Sequence, residues 1–551
     1  MKNSTKPSTK PYFLTACLYA MIAALHLFAA PTQPICAAER PNIIFIFTDD
    51  HAPHAIGAYG GPLKQVNPTP NIDKLASEGM LFQNSFCTNS ICGPSRAVIL
   101  TGKHSHVNGF MNNGNRFDGS QPTFPKMLKK AGYQTAMIGK WHLSSDPQGF
   151  DFWKVLPGQG DYYNPFFKSA KGREQIQGYC TDIVTNMAIN WLDTQRDKKK
   201  PFLLMAQHKA PHRCWMPPLR HLALYDDIDI PEPDTLFDKH PTKAPPATFQ
   251  EMEINRHMHL GYDLFVTPHL DIYDHVNVPA PKATDKSAVR NMSRMTPGQR
   301  KKWDAYYEPR NKTFRESKLT GEALVKWKYQ RYIKNYLRCV RGADDSVGQI
   351  MKYLKDTGLD KNTIVVYSSD QGFYLGDRGW YDKRWMYEES MKMPLIVKWS
   401  GVTKPGSVNK DLVQNLDYAE TFLEAAGAKI PADMQGKSIV PLLKGESPKS
   451  WRDELYYHYY EYPSVHMVPR HYGIRTKRYK LIHYYQFDKW EFFDLQTDPG
   501  EKNNLYNNRE HAKTIADTKV QLQAIRKRYK DNSDVTVKPK QWQEKFWKSK
   551  S

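Results

Sequence analysis

Asn42-Ile43-Ile44-Phe45-Ile46-Phe47-Thr48-Asp49-Asp50 is an apolar run that ends in two adjacent carboxylates. A run without polar alternation suits a strand buried on both faces, as in a parallel sheet covered by helices. Two carboxylates at the end of such a strand are costly to bury unless a cation neutralises them. Ligand sites of open α/β sheets lie beyond the carboxyl ends of the strands. An Asp pair can also cap a helix or sit in water, so the other strands decide.

Three more apolar runs end in polar groups. A strand over 133–139 leads to Lys140-Trp141-His142, and one over 201–206 leads to His208, Lys209 and His212. A β-branched strand over 362–367 leads to Ser369-Asp370-Gln371-Gly372. One polar strand end is ordinary, whereas four at one sheet edge make a site. Short helices are expected at 70–75 and 125–131. A long one carries Tyr329, Tyr332, Tyr336, Val340, Ala343, Val347, Ile350 and Leu354 at three- and four-residue spacing. Its stop at Gly358 runs straight into the 362–367 strand, as a crossover requires. A strand over 393–399 and a helix over 421–426 follow. The fold class is therefore α/β, a mostly parallel sheet flanked by helices. The pattern loosens over 217–311, which reads as an insertion with local helices. From about 451 the chain turns to aromatic and basic alternation. Antiparallel strands are expected near 456–460, 471–476, 478–485 and 491–495, with a charged helix near 514–529. This makes residues 39–450 a main domain and 451–551 a smaller α+β subdomain with a basic tail.

The chain has 551 residues, a formal charge of +21 and a mean hydropathy of -0.67, which argues against a multi-span membrane protein. Lys2, Lys6 and Lys10 precede an apolar run and then Cys36-Ala37-Ala38, the order of a secretory leader cleaved after Ala38. The expectation is export to the periplasm or medium, without stable membrane insertion. The basic charge favours a polyanionic partner or serves only solubility. Nucleic acid and sulfated polysaccharide are both candidates; no nucleic-acid-binding motif is present, and charge alone does not choose between them. Beyond the leader the cysteines are Cys87, Cys92, Cys180, Cys214 and Cys339, an odd number in an exported chain.

Cys92 stands just ahead of a helix start, with Pro94 and Ser95 in the first turn and Ala97 to Leu100 as the body. A helix N-terminus holds anions and lowers the pKa of a thiol. The plain alternatives are a buried thiol or a disulfide with Cys87. Cys92-Gly93-Pro94-Ser95-Arg96, running on to Leu100-Thr101-Gly102, resembles the signature of the formylglycine-dependent (type I) sulfatases. Asp49-Asp50, Gly139-Lys140-Trp141-His142, Pro211-His212, Asp370-Gln371-Gly372 and Lys383 extend the resemblance. Glu491 to Leu495, Asp498-Pro499 and Asn504-Leu505 look like the family's C-terminal segment.

The resemblance implies an alkaline-phosphatase-like mixed sheet. It implies that Asp49, Asp50, Asp370 and Gln371 hold Ca2+, with Gln371 where the family often has Asn or His. It implies that a formylglycine-generating or sulfatase-maturating enzyme converts Cys92 to formylglycine, which also touches the metal and acts as nucleophile in its hydrated form. Arg96 would orient that group, and Lys140 and Lys383 would bind sulfate oxygens. His212 would protonate the leaving alcohol, and His142 would take the remaining hydroxyl proton. The stretch from Asp370 to Pro394, with Asp382-Lys383-Arg384-Trp385, is similar to bacterial sulfatases acting on N-acetylglucosamine 6-sulfate. It implies a sulfated glycan whose hydroxyls meet Asp382 and Arg384, with His471 and His466 walling the site. Two rivals stand: a phosphodiesterase or phosphonate hydrolase of the same fold, and a secreted polyanion-binding protein without catalysis.

Overall fold

The four apolar strands lie side by side. In the computed structural model, which describes residues 1, 3, 40–266 and 291–533, they are Asn42–Thr48, Gln134–Lys140, Phe202–Gln207 and Thr363–Ser369. Met1–Arg40 and Pro41–Ser551 are separate units. The expected leader lies outside the described residues except Met1 and Asn3, and all that follows concerns the second unit.

The ten-stranded sheet runs, from one edge, Ser407–Asn409, Met80–Phe82, Leu395–Trp399, Thr363–Ser369, Asn42–Thr48, Phe202–Gln207, Gln134–Lys140, Phe152–Leu156, Phe166–Ser169, Gly172–Gln175. The four central strands pair in parallel. Their register is the key to the site. Thr48 pairs with Ser369, Phe47 with Gln207, and Gln207 with Gly139. Asp49, Asp370, His208 and Lys140 therefore follow from one row across the sheet. Gly139, at φ 106°, permits this closeness: a Cβ there would meet the Gln207 carbonyl oxygen at 1.9 Å.

Residues on the central strand alternate between two cores. Ile43, Phe45 and Phe47 face the side covered by the helices Cys92–Thr101, Phe124–Lys130 and Asp417–Ala425. Ile44 and Ile46 face Pro70–Glu78, Cys180–Asn190 and the long helix Gly321–Asp356. The C-terminal strands Glu454–Tyr459, His471–Thr476, Tyr479–Tyr484 and Lys489–Asp494 form an antiparallel sheet in sequence order. One face packs on the helix Ala512–Tyr529 through Ile515, Leu522 and Ile525. The other face merges Leu455, Tyr457, Ile482 and Phe493 with the main core.

Several expectations shift. The helix expected over 421–426 begins at Asp417, whose carboxylate accepts from the Gln414 backbone N–H at 2.8 Å. The helix Pro297–Ser317 starts inside the expected insertion, behind a capping box between Thr296 and Gln299. The rest of that insertion holds short helical turns at Leu219–His221, Pro245–Thr248 and Ile254–His257, and 267–290 lie outside the described residues. The strands at Met80–Phe82, Phe152–Leu156, Phe166–Ser169, Gly172–Gln175 and Ser407–Asn409 were not expected. The basic tail beyond Ser533 lies outside the described residues.

Candidate active site

Asp49 and Asp370 leave neighbouring strands at the same level. The chain turns back at Asp50, whose φ of 66° is left-handed. Its backbone N–H donates to Asp370 Oδ1 at 3.1 Å, and Gln371 Nε2 donates to Asp50 Oδ1. Oxygens of Asp49, Asp50 and Asp370 lie within 4.8 Å of one another, and all three residues are buried. Gln371 Oε1 is buried without a hydrogen-bond partner among the described residues. This all-oxygen donor set fits a hard divalent cation such as calcium. Burial outweighs Lys383 and holds the Asp50 carboxyl up at about 7, the mark of a carboxylate cluster short of positive charge.

Cys92 is the first residue of its helix, and all ten residues of that helix are buried. Its Sγ donates to Asp49 Oδ1 at 3.3 Å. The expected lowering of its pKa does not occur: burial, against Lys383 and with Asp370, pushes the thiol up to about 12. There is no Cys87 disulfide, because the five described cysteines are all buried and free. Arg96, one turn on, turns its donors to the strand ends. Nε and NH2 meet Asp370 Oδ2 at 3.1 and 3.0 Å, and NH1 meets Lys140 O and Gln207 Oε1 at 2.8 Å. It braces the strand ends beneath Cys92.

Lys140 Nζ pairs with Asp49 Oδ2 and donates to Gln159 Oε1. Lys383 Nζ pairs with Asp50 at 2.7 Å. Burial pulls Lys383 down, but Asp50 beside it reverses the sign and keeps it charged. His142 sits at φ 56° with a buried, unpartnered Nδ1 among the described residues. Burial, then Lys140 and Arg96, hold it well below the ordinary histidine range. His212 Nδ1 lies 2.5 Å from the Arg213 carbonyl oxygen, which can only accept, so Nδ1 carries a proton. Its Nε2 is 3.8 Å from Asp50 Oδ2. Burial, then Lys140 and Lys383, lower its pKa as well, and both imidazoles are neutral at pH 7.

Asp382 and Arg384 flank Lys383 at φ 77° and 92°. Left-handed backbone at non-glycine residues is costly and clusters at functional sites. Arg384 Nε is 3.3 Å from Asp382 Oδ1, and its NH1 is 3.8 Å from Glu461 Oε2. Neither contact meets hydrogen-bond geometry, so these buried donors lack a hydrogen-bond partner among the described residues. His466 Nδ1 is 2.7 Å from Glu251 O and so carries the proton. Its Nε2 lies 3.2 Å from both Arg213 NH1 and Asp382 Oδ2. The expectation that His471 touches substrate is corrected. His471 is fully buried, its Nδ1 meets Pro469 O at 2.8 Å and its Nε2 accepts from Met386 N at 3.1 Å. With both nitrogens engaged, it holds the backbone behind Arg384.

A family model described as Sulfatase matches residues 41–428. The chain belongs to the sulfatase family. A second family model, N-sulphoglucosamine sulphohydrolase, C-terminal, matches residues 376–528. An N-acetylglucosamine-6-O-sulfatase of Bacteroides thetaiotaomicron is 46% identical over 517 residues, 93% of this chain and 90% of the relative. The human N-acetylglucosamine-6-sulfatase is 27% identical over 76% of this chain and 67% of its own. A solved structure in complex with its substrate D-glucosamine-2-N,6-O-disulfate superposes at TM-score 0.85, with 46% identity, over 91% of this chain and 100% of that one. A phosphonate monoester hydrolase from Silicibacter pomeroyi shares the fold at 20% identity and TM-score 0.65.

Sequence reasoning named Lys209 at a strand end without giving it a role, and it left out three other residues that this sulfatase brings to the site. Lys209 is buried and donates to Gln159 O at 3.3 Å. Gln207 accepts from Arg96 as the last residue of its strand. Gln159 and Glu461 come from loops without periodicity and gave no signal.

Proposed function

We propose that this sulfatase is exported and hydrolyses the 6-O-sulfate ester of a glucosamine unit, N-acetylated or N-sulfated, in a sulfated glycan. The observation that carries the reading is the buried turn in which Asp382 and Arg384, 3.3 Å apart, flank in sequence Lys383, whose ammonium pairs with Asp50 in the carboxylate cluster. An ammonium suits a sulfate, and the flanking pair suits neighbouring sugar hydroxyls. The 46% identity to a Bacteroides N-acetylglucosamine-6-O-sulfatase supports the same substrate class.

Calcium held by Asp49, Asp50, Asp370 and Gln371 would supply positive charge at a sulfate oxygen. Formylglycine, made from Cys92 by a maturating enzyme, would supply a hydrated aldehyde as nucleophile. The chain's own residues do the rest. Lys140 and Lys383 pair with Asp49 and Asp50; with those carboxylates engaged by a cation, both ammonium groups are free for sulfate oxygens. Arg213 O fixes the His212 proton on Nδ1, so His212, neutral in the free site, would first take a proton on Nε2, which a bound sulfate anion favours, and give that proton to the leaving alcohol. The neutral His142, with Nδ1 unpartnered, is the group able to accept a proton. Sulfate esters and phosphonate monoesters are both monoanions, so the preference for sulfate rests on the 46% identity to a sulfatase.

The test is turnover on 2-, 3-, 4- and 6-sulfated saccharides, using protein from a host with cysteine-type maturation. Release of sulfate from glucosamine 6-sulfate, lost in Cys92→Ala, is the expected result. Faster cleavage of phosphonate esters, or unchanged turnover in Cys92→Ala, overturns the reading.

A further inference from the structure

The long helix Gly321–Asp356 serves two places at once. Tyr336, on its core face, donates to the Asp50 carbonyl oxygen at 2.7 Å. Arg331, Lys334 and Arg338, spaced three and four apart, line a different surface of the same helix. There they border a cavity of about 410 Å3 closed on its other side by the helix Pro297–Ser317, which adds Arg310 and Tyr306. This size falls within the ~300–1,000 Å3 span of small-molecule sites.

The cavity's charge is unbalanced. Asp226 is the acidic residue in the lining; it meets Arg310 NH2 at 2.7 Å and Arg338 NH2 at 2.8 Å. Among the described residues Lys334 forms its ion pair with Asp229, at 4.0 Å, whose side chain is 93% exposed. Arg331 has neutral partners among the described residues: Nε donates to Leu264 O at 3.1 Å and NH2 to Asn311 Oδ1 at 2.6 Å. Burial and the neighbouring guanidinium groups pull it down to about 10. A guanidinium without a carboxylate, beside a lysine held only at arm's length, leaves a cationic wall with donor capacity unused. Aromatic rings that are themselves packed against neighbours complete the wall. Trp327 stacks on Phe314 with ring centroids 3.7 Å apart, and Tyr306 lies under Arg310 at 3.8 Å.

We propose that this cavity is a second binding site, separate from the strand-end row, that takes a sulfate group carried by a saccharide. Arg331, Lys334 and Arg310 would receive the anion, and the Trp327 and Tyr306 rings would border the sugar. The ligand class rests on the function proposed above; the cationic cavity does not. A site of this kind would let the enzyme hold a multiply sulfated chain while one sulfate is removed elsewhere.

The test uses the full chain carrying Cys92→Ala, so that ligand is not consumed, and calorimetry with a heparin-derived hexasaccharide, its chemically desulfated form and inorganic sulfate. The cavity variant is Arg310→Gln with Lys334→Gln, which leaves the half-buried Arg331 and the buried Arg338 in place. The parent is expected to bind sulfated hexasaccharide at two sites, and the variant to lose one or weaken it about ten-fold or more. With Cys92 restored, the variant should turn over glucosamine 6-sulfate monosaccharide as the parent does. Tighter binding of hexasaccharide than of inorganic sulfate assigns the cavity to glycan, and equal binding assigns it to the free ion. Hexasaccharide binding that is equal in parent and variant, or equal for the desulfated form, overturns the proposal. The binding arm stands even if no glucosamine 6-sulfate is hydrolysed, so the two failures are distinguishable.

Discussion

At the scale of single residues, the site is a set of buried charges that lack one partner. Lys383 and Asp50 pair at 2.7 Å with almost no exposure, which is stable only while both ends remain. Lys383→Met keeps the stem and removes the charge. Its kcat/KM on a sulfate ester should fall by about 10²-fold or more, and Lys383→Arg should restore little, because a planar fork does not replace a compact ammonium. Steady-state kinetics checks both. The three-carboxylate cluster predicts a linkage to cation. After exhaustive chelation the unfolding midpoint and the activity should both drop, and added calcium should restore both. In Asp370→Asn the calcium-dependent rise of the midpoint should be lost; a rise equal to that of the parent counts against the ligand set. The carboxylates and Lys140 were legible because each stands at the end of an apolar strand, whereas Lys383 was legible only through the resemblance to the family. Arg96 was legible as part of a motif, yet its pairings were not: they reach strand ends 44, 111 and 274 residues further along the chain.

At the scale of elements, helices were legible where one face was apolar and blurred where capping or polar packing set the start. The helix Asp417–Ala425 is the clearest case. Its first turn carries Asp417, bound by Arg452 at 2.6 Å, and Glu420, which lies beside Asp417. Glu420 Oε1 accepts from Gly436 N at 2.6 Å, while Oε2 is buried without a hydrogen-bond partner among the described residues. Burial, with Asp417 beside it, raises this carboxyl from 4.5 to about 8. The folded state therefore keeps a proton that the unfolded chain releases. The contribution to stability is full below about 4.5 and is lost as pH rises through about 8. Glu420→Gln keeps the shape without the titration. Its midpoint should exceed that of the parent by a few degrees at pH 8 and approach it at pH 5, as thermal unfolding across that window would show. The helix Pro297–Ser317 was missed for a related reason. Its capping box is visible in Thr296 and Gln299, but its buried Trp303, Tyr307 and Phe314 are scattered among charged residues in a stretch of weak periodicity.

At the scale of the whole molecule, the C-terminal sheet was legible as a separate character of sequence, but its job was not. Its side chains grip the backbone that carries Asp382, Lys383 and Arg384. Tyr457 OH donates to Arg384 O at 2.7 Å, His471 Nε2 accepts from Met386 N, and Lys480 Nζ donates to Met386 O at 2.8 Å. Lys480 also pairs with Glu388 at 2.9 Å and Glu501 at 2.6 Å, and Glu501 holds Arg378 at 3.2 Å. The three contacts to the Arg384 and Met386 backbone join residues 73, 85 and 94 positions apart, and no local pattern announces them. They also predict a selective defect. Lys480→Met leaves Glu388 and Glu501 without their shared cation, at a cost of about 3–5 kcal/mol, and frees the Met386 carbonyl. The substrate turn then loses its support while the strand-end row keeps its own. Turnover of a sulfated glucosamine, whose sugar Asp382 and Arg384 are proposed to bind, should fall much more than turnover of a small aryl sulfate, which offers no such sugar. Lys480→Arg, which retains the charge, should recover part of the difference. Equal losses on both substrates, measured well below the unfolding midpoint of the variant, would mean that the C-terminal sheet stabilises the fold without positioning the sugar.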